Sequence, residues 1–106
     1  MRATLHTLEQ TIRRRRSADP SVSYVAKLSA KGRAKIAQKV GEEAVETVIA
    51  ALAGDRKEVI GESADLLFHL LLLLRDLDIP FDAVLDELDR REGLSGIAEK
   101  AARAKD

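Results

Sequence analysis

Only the short link Gly54-Asp55 joins two long stretches of helical periodicity, about residues 33–53 and, from Asp55 itself, about residues 55–77. A link that short forces the helices back on each other, so the sequence predicts an antiparallel helical hairpin as the framework. Gly54 supplies the stop, and Asp55 starts the second arm with Glu58 three residues on, at capping-box spacing. That second arm is apolar on most sides: Val59, Ile60, Leu66, Leu67, Phe68 and Leu70 to Leu74. A helix hydrophobic nearly all round is expected to be buried. One antiparallel partner cannot cover it all, and Leu73 is read as lying on the uncovered face. The expected cover is a second copy of the chain, making a homodimer.

The remaining elements hang on this hairpin. A first helix, about residues 3–16, carries Leu5, Leu8 and Ile12 at helical spacing. It closes on Arg13, Arg14, Arg15 and Arg16, a basic end suited to a helix C-terminus and read as solvated. A turn around Pro20 follows, then a short helix from Tyr24 with Ser23 as its N-cap and Gly32 as a break. After Asp78-Ile79-Pro80 a last helix runs over about residues 80–91, with Val84, Leu85 and Leu88 facing inward. No strand-like alternation, internal repeat or low-complexity block is present. The expected fold is all-α, four to five helices, as one domain over residues 1–106 with a loosely held tail at 93–106.

Composition removes several function classes. The 18 basic side chains balance the 18 acidic ones, so charge calls for neither nucleic acid nor an anionic membrane. No cysteine is present, which excludes disulfides, thiol catalysis and a zinc-thiolate site and fits a reducing compartment. The N-terminus lacks the pattern of a signal peptide. The most apolar run, residues 66–74, is interrupted by His69 and falls far short of the roughly 20 residues of a membrane span. A cytoplasmic protein is expected, without nucleic-acid or membrane partners.

Against this background the stretch KVGEEAVETVIA (residues 39–50) raises a question. Glu42, Glu43 and Glu46 fall within an arc of roughly 100° on a helix that needs burial. On the other arm Glu62 and Asp65 form a second acidic pair, with Glu58 one turn before and His69 one turn after. In an antiparallel hairpin the two acidic arcs lie at similar distances from the turn and can converge. Either motif alone is a common solvated stripe. The conjunction favours a metal site, because a helix with almost no other polar face does not keep carboxylates cheaply. Clustered carboxylates repel unless a cation sits between them, and oxygen-only ligands suit a hard ion such as Mg²⁺.

Lys27, Lys31, Lys35 and Lys39 recur every four residues. Beside a metal site they would neutralise a polyphosphate substrate; otherwise they are surface pairs with the glutamates, worth a few tenths of a kcal/mol. His69 is either a partner that steadies Asp65 or a tolerated polar residue. Tyr24 either stacks on a base or packs. No nucleophilic Ser-His constellation and no glycine-rich phosphate loop are present.

The EExxE of Glu42, Glu43 and Glu46, followed by the ExxD of Glu62 and Asp65, resembles the metal signature of the all-α nucleotide pyrophosphohydrolases. SYVAKL (residues 23–28), ESADLLFHLLLLL (residues 62–74) and REGLSGIAEKAAR (residues 91–103) narrow the resemblance to the phosphoribosyl-ATP pyrophosphatase family. It covers almost the whole chain. This resemblance implies an all-helical homodimer, dependence on Mg²⁺, and hydrolysis of phosphoribosyl-ATP to phosphoribosyl-AMP and pyrophosphate, the second step of histidine biosynthesis. It also implies that Glu42, Glu43, Glu46, Glu62 and Asp65 are the metal and catalytic positions. The family more often has Tyr at the position of Phe68 and Thr at that of Val25; both changes remove a hydroxyl and leave the acidic set intact. Some relatives carry this domain behind a cyclohydrolase, whereas a chain starting at the first helix is expected to be the free-standing form. Two alternatives stay open: a housecleaning nucleoside triphosphate pyrophosphatase on the same fold, and a non-catalytic helical dimerisation module.

Overall fold

The computed structural model describes residues 2–93 together with Gly96, Lys100 and Arg103. Most of the tail read as loosely held therefore lies outside the described residues. The fold, as far as the described residues 2–93 carry it, is built from α1 Thr4–Arg15, α2 Tyr24–Lys31, α3 Arg33–Ala53, α4 Arg56–Asp76 and α5 Phe81–Arg91. Among the described residues there is no strand, and no helix is long and apolar enough to cross a membrane.

Local chemistry sets the boundaries. Ser23 caps α2 by accepting from the Ala26 N–H at 3.2 Å. Gly32, at φ 97°, breaks the chain between α2 and α3. Gly54, at φ 73°, ends α3 in a Schellman motif: its N–H reaches the Ala51 carbonyl and the Asp55 N–H reaches the Ala50 carbonyl, both at 3.2 Å. The Asp55 side chain then accepts from the Glu58 N–H at 3.1 Å. Only this half of the capping box forms, because the Asp55 N–H is already engaged by Ala50. The same motif closes α4, with Asp78 in the left-handed position at φ 57° and the Ile79 N–H on the Leu74 carbonyl at 2.8 Å.

The core gathers at the open end of the hairpin, where α1, α2 and α5 pack on it. Ile12, Val25, Leu28, Ile36, Leu71, Leu72 and Phe81 are its buried members, with Leu5, Leu8, Val84 and Leu85 packed around them. Leu88, expected inward, is exposed. Leu73, expected on the outer face, packs against the core. Within one chain α4 buries His69, Leu71 and Leu72, and the rest of its apolar surface is left for the second copy that the sequence reading expects. Six apolar residues of the hairpin arms are exposed, Val45, Val48, Ile49, Leu52, Ile60 and Leu67, while Val22, Leu77 and Ile79 are exposed outside α3 and α4. The radius of gyration follows this shape. It is 16.0 Å, against about 13 Å for a compact chain of this length.

Candidate metal centre

The interior seam of the hairpin has coiled-coil spacing on both arms. On α3 it reads Ile36, Lys39, Glu43, Glu46, Ala50; on α4 it reads Glu58, Glu62, Asp65, His69, Leu72. Apolar residues close the open end, but the middle of the seam is made of carboxylates. Ile36, Glu43 and Ala50 are the buried residues of α3, spaced by seven, so Glu43 occupies a core position.

Carboxylate oxygens of Glu43, Glu62 and Asp65 lie within 4.8 Å of one another. Glu46 reaches across to Glu62. Glu42 turns aside and accepts from the Gln38 amide at 3.3 Å. The electrostatics match this crowding. Glu62 is pushed up to about 7, first by its hydrogen bond with Glu46, then by burial and the charges of Glu46, Asp65 and Glu43. Burial raises Glu43 above the usual carboxylate range; His69 and Lys39 oppose the rise while Asp65 and Glu46 add to it.

His69 is buried beside this cluster. Its Nδ1 aims at the Asp65 carbonyl at 2.9 Å, and its Nε2 meets the Tyr24 hydroxyl at 2.8 Å. The tautomer protonated on Nδ1 satisfies both bonds, with the tyrosine donating. Glu43 Oε1 also contacts Nδ1 closely enough for an ion pair. No hydrogen bond to this buried oxygen is present among the described residues. Glu62 Oε2 is likewise buried and lacks a donor among the described residues. Buried acceptors are normally paired, and leaving two unpaired in one acidic cluster is costly. Three convergent carboxylates with two such oxygens fit a hard divalent cation.

Tyr24 joins the site from α2. Burial raises its phenol above the ordinary value, Lys39 opposes the rise, and Glu43, Asp65 and Glu42 add to it. Of the four lysines, Lys39 is the one whose charge is felt by Glu43 and Tyr24. Lys35 is half-buried, whereas Lys27 and Lys31 are exposed on α2. The sequence reading favoured packing for Tyr24 and a supporting or structural role for His69; 45 residues separate them, and no local pattern links them. The position of Glu43, by contrast, was open to the seven-residue spacing from Ile36 to Ala50.

Comparison with known proteins gives the family. The family model described as phosphoribosyl-ATP pyrophosphohydrolase matches residues 5–92. The chain is 70% identical to the phosphoribosyl-ATP pyrophosphatase of Rhizorhabdus wittichii over 105 residues, covering 99% of each chain. It is 71% identical to that of Novosphingobium aromaticivorans over 100 residues, covering 94% of each. The Zymomonas mobilis protein of the same name is 60% identical over 102 residues, covering 96% of this chain and 95% of its own.

Proposed function

Because the chain belongs to the phosphoribosyl-ATP pyrophosphohydrolase family, we propose that its acidic centre holds Mg²⁺ and cleaves the substrate to phosphoribosyl-AMP and pyrophosphate. Its activity is that of a phosphoribosyl-ATP pyrophosphatase, a hydrolase of histidine biosynthesis. The housecleaning and non-catalytic readings give way to a match that spans residues 5–92. The cytoplasm is the proposed location of this biosynthetic step.

The observation that carries the metal site is the meeting of Glu43, Glu62 and Asp65 oxygens within 4.8 Å, two of those carboxylates having a buried oxygen without a donor. These three would hold the ion. When bound, it supplies positive charge that polarises the phosphoanhydride and acidifies water. Glu46 flanks the three and is the proposed partner for the attacking water, accepting its proton at a carboxylate oxygen, while Glu42, held by Gln38, adds negative charge from the next position on α3. His69 steadies the Asp65 turn through the backbone carbonyl and is itself held by Tyr24. Lys39 is proposed to neutralise substrate phosphate oxygens, with Lys35, Lys27 and Lys31 in more distant supporting roles.

A homodimer is part of the proposal. Val45, Val48, Ile49, Leu52, Ile60 and Leu67 form an exposed apolar face on the hairpin, and self-association would bury it. Pyrophosphate release from phosphoribosyl-ATP, ATP and dUTP, with and without Mg²⁺, tests the reading. Strong Mg²⁺-dependent release from phosphoribosyl-ATP is expected, and equal turnover of all three would reject the substrate assignment.

A further inference from the structure

The four arginines at 13–16 do not share one solvated fate. Arg14 donates to Thr11 Oγ1 at 3.3 Å. Arg16 ties α1 to the end of α4, donating to the Arg75 carbonyl at 3.1 Å and lying 3.8 Å from Asp76. Arg13 borders a separate polar cavity against Ser29 and Asp76. Arg15 is exposed, its carbonyl accepts from the Ala18 N–H at 3.1 Å, its guanidinium has no hydrogen bond or ion pair among the described residues, and it lines a cleft of about 440 Å³ between α1 and the start of α2.

That cleft adjoins the metal centre. Its walls include Leu8, Val22, Tyr24 and Phe68, with Thr11 and Arg15 on the α1 side. Leu8, Thr11 and Arg15 share one face of α1 by their spacing of three and four. The Tyr24 ring forms a wall while its hydroxyl holds His69 at 2.8 Å. Phe68 stands one turn beyond Asp65 on α4, its ring 6.0 Å from that of Tyr24. Val22 is 82% exposed and Tyr24 50%, so the aromatic and aliphatic rim is open to a ligand. Apolar walls with aromatic faces and one cation at the edge suit a purine bearing a second phosphate.

Resting on the activity proposed above, we infer that this cleft seats the purine and ribosyl parts of the substrate, and that Arg15 binds the distal phosphate of the phosphoribosyl arm. ATP has the triphosphate but lacks that arm, so Arg15 is a specificity residue. Its guanidinium offers the paired donors that phosphate oxygens accept.

The test measures KM and kcat for phosphoribosyl-ATP, and the inhibition constant of ATP against it, in the wild type, Arg15→Ala, Arg15→Lys and Arg14→Ala. Arg15→Ala is expected to raise KM roughly ten- to hundredfold, the size of a charge-assisted hydrogen bond, with kcat little changed. The inhibition constant of ATP should stay put, Arg15→Lys should recover part of the loss, and Arg14→Ala should match the wild type. An unchanged KM in Arg15→Ala, or equal weakening of ATP, overturns the assignment of Arg15. Wild-type protein that releases no pyrophosphate from phosphoribosyl-ATP would instead overturn the activity itself, so the two failures are distinguishable.

Discussion

Glu43→Gln puts two accounts of the acidic seam in opposition, because they differ in sign. If Glu43 and His69 form a buried ion pair that stabilises the fold, removing the carboxylate costs about 3–5 kcal/mol. If the carboxylate is instead a metal ligand crowded by Asp65 and Glu62, its removal relieves an unpaired buried oxygen, a gain of about 1 kcal/mol without metal. The geometry favours the second account: His69 already spends Nδ1 on the Asp65 carbonyl and Nε2 on Tyr24, and Glu43 Oε1 receives no hydrogen bond. An unfolding entropy of about 2.1 cal/mol/K per residue makes 1 kcal/mol equivalent to roughly 4–5 °C for this chain. In EDTA the variant should therefore melt about 4–5 °C above the wild type, whereas loss of an ion pair would lower Tm by roughly 14 °C or more. Adding Mg²⁺ to a hundredfold excess over Kd should raise the wild type by about 2.7 kcal/mol, and the variant by far less. Turnover should be lost in parallel. A variant that melts far below the wild type in EDTA, or that turns over normally at saturating Mg²⁺, refutes the reasoning.

The raised pKa of Glu62, about 7, means the metal-free native state holds an extra proton between pH 4.5 and 7, so its stability should fall as pH rises through that window. Thermal melts in EDTA from pH 5 to 8 would show the decline, which Glu62→Gln and saturating Mg²⁺ should each flatten. Gly54→Ala should cost roughly 1 kcal/mol, since φ 73° strains any side chain; a chemical denaturation curve measures it. Ile60→Asp and Leu67→Asp, on the exposed apolar face, should shift sedimentation towards monomer, and an unchanged mass for both would move the interface elsewhere. Lys39→Gln should raise KM with metal affinity constant or tighter, whereas kinetic constants within about twofold of wild type would return Lys39 to surface pairing.

What the sequence determined by itself is local or periodic. The hairpin, its stop at Gly54, the Ser23 cap and the break at Gly32 each depend on the conformational chemistry of one or two residues, so they were legible without a fold. The convergence of two acidic arcs was legible too, because a two-residue link fixes which turns of the arms lie level. Tertiary structure decided how each helix is rotated about its own axis. Period alone puts Glu42, Glu43 and Glu46 within one arc; seating Ile36 and Ala50 in the interior turns Glu43 inward and leaves Glu42 to Gln38. The same rotation of α4 packs Leu73 on the core and leaves Ile60 and Leu67 in solvent. The link from Tyr24 through His69 to the acidic cluster, and the separate fates of four adjacent arginines, depend on the packing of α1 and α2 against the hairpin. Those contacts join residues far apart in the chain, and a spacing rule carries no information about them.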